Sequence, residues 1–351
     1  METKILRADE EGIKEAGAIA AAGGLVAFPT ETVYGLGANA YDGEAVKRIY
    51  AAKGRPSDNP LIVHISDTSG IEELADGVSE NARKLISAFM PGPFTIILKK
   101  SERLGGAVTA GMDTVGIRCP ENETARRFIK AAGVPIAAPS ANLSGRPSPT
   151  KASHVTEDMN GRIDAIINGG DCSVGVESTI VDASREIPVL LRPGGITYGQ
   201  LKDVVPETEI DPNILGSLDE NERPLCPGMK YKHYAPEAEV TVVEGGTDAV
   251  RKKIAELLER NADRVCGVLT MSENTYDSAV ILCAGTTNRE YAKNLFGCLR
   301  EFDRLGAELV FAEFEERDGY GLAVKNRLYR AAAHRVIRVG AAEENKEMDH
   351  L

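Results

Sequence analysis

Tryptophan is absent from the 351 residues, and the remaining aromatics are 10 tyrosines and 8 phenylalanines. Flat surfaces on which unpaired bases stack are therefore few, which disfavours general single-strand binding. Positive charge is also short: 41 Lys and Arg stand against 53 Asp and Glu, for a formal net charge of −12. Non-specific affinity for a phosphate backbone comes from cations that displace counterions, so a nucleotide or nucleic acid needs a local cationic pocket here. Cysteine is sparse as well. Cys119, Cys172, Cys226, Cys266, Cys283 and Cys298 include no CxxC pair, which argues for reduced thiols rather than a disulfide framework. The histidines (His64, His154, His233, His334 and His350) form no HExxH or related pattern, so no metal ligands are assigned. No apolar run nears the roughly 20 residues that cross a bilayer. The opening METKILRADEEG lacks the apolar core of a secretory signal. These absences point to the cytoplasm and away from the membrane.

Hydrophobic residues make up 42% and charged residues 27%, enough to bury a core. At roughly 150 residues per domain the length suits about two domains. Helical and strand signals alternate from the start. Asp9 caps an alanine-rich helix that stops at Gly23-Gly24, LVAF reads as a buried strand, and GEAVKRIYAAKG as a helix with Val46, Ile49 and Tyr50 on one face. LIVHI, FTIILKK, VGIRC, VPIAA, IDAIIN, STIVD and PVLLR are further strands, with helices at SENARKLISAFM and ETARRFIKAAG. This is a mixed α/β domain over residues 1–205. Residues 206–238 are polar, carry Pro206, Pro212, Pro224, Pro227 and Pro236, and read as a linker or lid. Beyond them a cleaner β–α series over 239–351, ending in a helix at LAVKNRLYRAAAHRVI, indicates a smaller Rossmann-like three-layer domain without a GxGxxG turn.

Three clusters carry chemistry. In FPTETVYGLGANA, hydroxyls and glycines follow a buried strand; this suits a small polar ligand or a plain strand–turn. In KGRPSDNP, Lys53 and Arg55 end a helix, where cations are favoured by the macrodipole, and a rigid loop follows that would complete an anion clamp. In IAAPSANLSGRPSPT, Ser140, Asn142, Ser144, Ser148, Thr150 and Arg146 form either a phosphate-friendly or an ordinary solvated loop. Arg118 and Arg192 lie in or at the end of apolar strands, where an unpaired guanidinium is expensive. Glu177 or Asp182 would serve as a structural partner; a ligand carboxylate or phosphate is the alternative. No GxSxG elbow or marked cysteine nucleophile is present, so catalysis by positioning and charge stabilisation fits best.

Together and in this order, PTETVYGLG, KGRPSDNPL with LIVHI, and APSANLSGRPSPT resemble the threonylcarbamoyl-AMP synthase family, whose catalytic unit is the YrdC-type domain. Its KxR…SxN signature is present as Lys53, Arg55, Ser140 and Asn142, and KHYAP with the C-terminal segment resembles the long, two-domain form. The resemblance implies a twisted mixed-sheet domain with a concave, cationic face. It implies a nucleotidyltransferase that joins L-threonine, bicarbonate or CO2, and ATP into L-threonylcarbamoyladenylate with release of pyrophosphate. The product would pass to a tRNA threonylcarbamoyl transferase, for N6-threonylcarbamoylation of the adenosine beside the anticodon. By the same resemblance Lys53, Arg55, Ser140 and Asn142 are catalytic, while Thr32, His64, Arg118, Ala138 and Ser178 bind threonine. Arg55, Asn59, Thr114, Ser140, Ser148, Arg192, His233 and Tyr234 would meet ATP, and Mg²⁺ would arrive with the triphosphate. The KYKHYAP segment would close over the nucleotide. An RNA-binding module without catalysis is the alternative, opposed by the acidic net charge. A carbamoyl-phosphate-using relative is opposed by the lack of CxxC pairs.

Overall fold

The computed structural model describes residues 2–57, 59–216, 234–271, 275–277 and 279–340. Its first sheet has eleven strands: β1 (Lys4–Arg7), β2 (Val26–Phe28), β3 (Gly35–Asn39), β4 (Ile62–His64), β5 (Phe94–Lys99), β6 (Thr114–Arg118), β7 (Ile136–Ala138), β8 (Ala165–Asn168), β9 (Thr179–Asp182), β10 (Val189–Arg192) and β11 (Glu209–Ile210). Their spatial order is β1-β8-β2-β3-β7-β4-β6-β5-β9-β10-β11. Pairing is mixed: β2–β3, β3–β7, β7–β4, β6–β5 and β9–β10 are antiparallel, and the other neighbours are parallel.

Local chemistry explains most boundaries. Asp9 accepts from Gly12 N at 2.9 Å and starts the helix Glu10–Ala21, as its sequence signals. Asp42 caps the helix Gly43–Lys53, and Gly54 ends it at φ +62, a left-handed position that costs glycine nothing. Asn122 caps Glu123–Ala132 in the same way.

Four segments depart from what the sequence suggests. Gly35–Asn39 is not only a glycine turn but a strand between β2 and β7, buried along most of its length. A Cβ on Gly37 would stand 2.6 Å from Ile136 Cγ2, so glycine is what allows the sheet to close here. Lys4–Arg7 forms an edge strand with little apolar alternation, specified by its pairing with β8. Residues 206–216, the start of the expected linker, belong to the first domain: β11 pairs with β10, and Ile214 is buried in the large core. The last helix stops at Ala331. Ala333 and His334 take positive φ of 48° and 62°, and Val336–Val339 becomes a strand. Two of its four residues are β-branched valines and a third is isoleucine, which favours an extended run over a continued helix.

The second sheet comprises β12 (Glu239–Gly245), β13 (Cys266–Thr270), β14 (Val280–Cys283), β15 (Leu309–Phe314) and β16 (Val336–Val339). It is parallel throughout, in the order β14-β13-β15-β12-β16. Val240 and Val242 pack with the helices Asn288–Arg304 and Gly321–Ala331, while Val243 packs with Thr247–Arg260 on the other face. These are the three layers of a Rossmann-like domain. Its core does not end at its own boundary, because Val33 and Val176 of the first domain and Tyr234 join the same apolar cluster. Among the described residues, no helix is long and apolar enough to cross a membrane.

Candidate active site

Strand alternation sends Ile62 and His64 to one face of the first sheet and Val63 to the helix-packed core on the other. The β4–β6 register places His64 beside Arg118, and the β4–β7 register places Ile62 beside Ala138. A bridge between Gly35 and Ser140 draws two of the sequence clusters together. The result is a cleft that encloses about 650 Å³ of unfilled space when the open solvent at its mouth is included. Thr32, Arg55, His64, Arg118, Ala138, Ser140, Asn142, Ser148, Ser178, Arg192 and Tyr234 all line it. Residues from 32 to 234 of the chain thus converge on one surface.

Four guanidinium groups (Arg55, Arg118, Arg146 and Arg192) border the cleft, in a molecule of net charge −12. Four carboxylates counter them, and all are engaged: Asp158 and Glu237 accept from Arg146 at 2.9 and 3.1 Å, and Glu31 and Glu177 serve the rest of the cleft. Arg118 Nη2 donates to Glu31 Oε1 at 2.6 Å, and its Nη1 donates to Thr32 Oγ1 at 2.9 Å. Ser148 Oγ donates to Glu177 Oε1 at 2.5 Å, while Arg327 Nε of the C-terminal domain donates to Glu177 Oε2 at 2.8 Å. Arg192 bonds the carbonyl and the hydroxyl of Ser178, each at 3.1 Å, and that hydroxyl also meets Thr95 Oγ1 at 2.7 Å. Neither Glu177 nor Asp182 is the partner of Arg118; Glu31 is.

Electrostatics follow from this burial. Burial, and then the charge of Arg118, holds the His64 imidazole down to a pKa of about 3, so it is neutral. Burial pushes the Glu177 carboxyl up, but Arg327 and Arg192 outweigh it and hold the group below the usual carboxylate range. The site therefore offers fixed cations, an array of hydroxyls, and no carboxylate to spare. Among the described residues no group of three or more His, Cys, Asp or Glu could hold a metal. A divalent ion would fit this donor set only if its ligands came with an anionic substrate.

Lys53, Asn59 and Thr114 do not line this cleft. Lys53 is 3% exposed and beneath the lining: Nζ donates to Ser140 O and, at 2.6 Å, to Asn142 O. Burial, then Arg55, drives its pKa well below the ordinary lysine value. It acts on the cleft by holding the loop that carries the two side chains. Asn59 is fully buried beside this helix end; its carbonyl accepts from Tyr50 Oη at 2.9 Å. Thr114, at the far end of β6, lines a small neighbouring pocket that shares the Ile62 wall. His233, with residues 217–233 of the expected lid, lies outside the described residues. Tyr234 stacks on Phe296 at 5.1 Å between ring centroids.

The sequence did not single out Glu31, although it lies inside a quoted motif, nor Arg327. One signal for Arg327 existed: it shares a helical face with Val324, Leu328 and Ala331, a core position for a charged residue.

Two family models match the chain: one described as telomere recombination over residues 18–194, and one described as the C-terminal domain of threonylcarbamoyl-AMP synthase over residues 196–333. The threonylcarbamoyl-AMP synthase of Pyrococcus abyssi is 48% identical over 333 residues, covering 95% of this chain and 97% of that protein. That of Bacillus subtilis is 47% identical over 341 residues, covering 96% and 97%. The solved structure of P. abyssi Sua5 complexed with L-threonine superposes with a TM-score of 0.92 at 48% identity, over 97% of this chain and all of that one.

Proposed function

The chain belongs to the threonylcarbamoyl-AMP synthase family, and from that premise we propose how its cleft joins three reactants. It is an enzyme of the nucleotidyltransferase type, making threonylcarbamoyl-AMP from L-threonine for tRNA modification. The further reactants we assign are bicarbonate or CO2, and ATP. The single observation that carries the reading is the gathering of four arginines and a set of hydroxyls on one cleft of an acidic protein.

The chemistry has two steps. The threonine amine attacks the carbon of CO2, forming the C–N bond and losing a proton, to give a carbamate. A carbamate oxygen then attacks the α-phosphorus of ATP, and the bond to the β-phosphate breaks to release pyrophosphate. Two anions must meet, and their repulsion is the main barrier the protein can lower. Arg118, held in orientation by Glu31 and Thr32, presents its guanidinium to the threonine carboxylate. Arg192 stands three strand spacings away, roughly 14 Å, on β10. That separation lets Arg192, Ser148 and Arg55 take the triphosphate while Ser140 and Asn142 orient its α-phosphate. Neutral His64 walls the amino-acid pocket without adding charge. Mg²⁺ bound to the triphosphate would neutralise part of its charge.

We assign the product to a separate tRNA threonylcarbamoyl transferase and the enzyme to the cytoplasm, where its buried free thiols at Cys119, Cys172 and Cys266 stay reduced. Pyrophosphate release with threonine, bicarbonate and ATP, omitting each in turn, tests the reaction. Release that persists without threonine or without bicarbonate would overturn it. Salt-sensitive tRNA retention with no pyrophosphate would favour an RNA-binding role instead.

A further inference from the structure

A side chain of the C-terminal domain bonds directly to Glu177, which lines the cleft. Arg327, on the helix Gly321–Ala331, is fully buried. Besides its bond to Glu177 Oε2, its Nη1 donates to Pro193 O at 2.9 Å and to Asn326 Oδ1 at 2.8 Å. The Tyr234 ring lies 5.6 Å from its guanidinium carbon. Glu177 is the acceptor for Ser148 and immediately precedes Ser178; Pro193 immediately follows Arg192. One planar fork therefore fixes the carboxylate that aims Ser148 and the backbone on either side of the Ser178–Arg192 pair.

Adhesion between the domains does not require this ion pair. The backbone of Lys293 approaches Gly175 so closely that a Cβ there would stand 2.3 Å from it. Arg300 independently donates to Pro147 O and to Asp158 Oδ2, each at 2.7 Å. A buried ion pair adds little net stability over a well-packed apolar pair, whereas a planar guanidinium that meets a carboxylate and a backbone carbonyl through different nitrogens imposes direction. What Arg327 contributes is therefore orientation.

We propose that Arg327 is a positioning residue for the nucleotide end of the cleft, acting through Glu177 and Pro193 on Ser148 and Arg192. The docked C-terminal domain is then a structural part of the ATP site. This rests on the reading that Ser148 and Arg192 meet ATP.

The test uses the full-length chain as wild type, Arg327→Met, Arg327→Lys and the double variant Arg327→Met/Glu177→Gln. Apparent KM values for ATP and for threonine come from pyrophosphate release, and threonine affinity without ATP from calorimetry. Melting temperatures report folding. Arg327→Met should raise the KM for ATP by about 10- to 100-fold, with threonine affinity little changed. Arg327→Lys keeps the charge but loses the fork and should lie between the two. The double variant removes the stranded carboxylate charge, so its melting temperature should recover while its KM for ATP stays high. If KM recovers along with melting temperature, or if both KM values shift together, the positioning role is overturned. Should Arg327→Met fail to fold, the double variant and Arg327→Lys decide by the same criteria. Wild type that shows no threonine-dependent pyrophosphate release overturns the ATP reading itself, a result distinct from unchanged kinetics in the variants.

Discussion

Arg118 and Glu31 form a 2.6 Å ion pair inside the cleft, with each side chain only 5% exposed. The guanidinium is thus oriented before any ligand arrives, at the cost of a carboxylate already facing its charge. A second anion binding Arg118 therefore joins an existing pair instead of meeting an isolated cation.

Arg118→Ala should cost about 3–5 kcal/mol of stability, because it strands a buried carboxylate, and should raise the threonine requirement more than that for ATP. Adding Glu31→Gln should restore most of the stability but not the threonine affinity. Chemical denaturation and threonine calorimetry on the two variants check this; full recovery of both would remove Arg118 from the amino-acid site.

Lys53 is a buried tie for the loop, not an exposed helix-end charge. Lys53→Met leaves the carbonyls of Ser140 and Asn142 without their donor. A loss of about 1–3 kcal/mol per orphaned group is expected, with activity falling as the loop relaxes. Urea unfolding gives the answer, and an unchanged midpoint would mean that the tie is dispensable.

Acid should weaken the fold through His64. Its pKa is about 3 in the folded chain against an ordinary value of 6.5. Between those values the unfolded chain binds a proton that the folded chain refuses, so stability falls as pH drops from 6.5 toward 3. From pH 7 to pH 5 this one group should remove about 2 kcal/mol. His154, held down to about 4 by burial and then by Arg300, acts in the same window. His64→Gln should show a smaller loss than wild type between those two pH values in urea titrations; equal losses would contradict the assignment.

Gly175 sits at φ +82 directly under the backbone of Lys293. Gly175→Ala combines left-handed strain of roughly 1–2 kcal/mol with a backbone clash, and should loosen the docking of the two domains. Faster hydrogen exchange along Asn288–Arg304 and around Ser148, with the first domain's helices still protected, is the expected pattern. Protection unchanged across the interface would show that the contact is not required.

The elements that were legible in the sequence are those whose cause is local. Asp9 and Asp42 cap their helices from two or three residues away, Gly54 stops one by its own φ, and apolar spacing marks Val46, Ile49 and Tyr50 as one buried face. The cations and hydroxyls of the site were legible for a related reason: most stand in three short runs, each beside a buried strand, and Arg118 and Arg192 stand in or at the end of apolar strands. Less legible were Gly35–Asn39 and Lys4–Arg7, whose residues have no strand pattern of their own and are extended because neighbours pair with them.

What the sequence determined alone was the inventory: scarce positive charge, clustered hydroxyls, two α/β domains and the segments that bear the chemistry. Tertiary structure decided who faces whom. It made Glu31 the partner of Arg118, put Lys53 under the loop instead of on its surface, and brought Arg327 across 150 residues to Glu177. The physical reason is that capping and periodicity act over one or two helical turns, whereas a buried charge can be satisfied by any opposite charge that the folded chain carries to it.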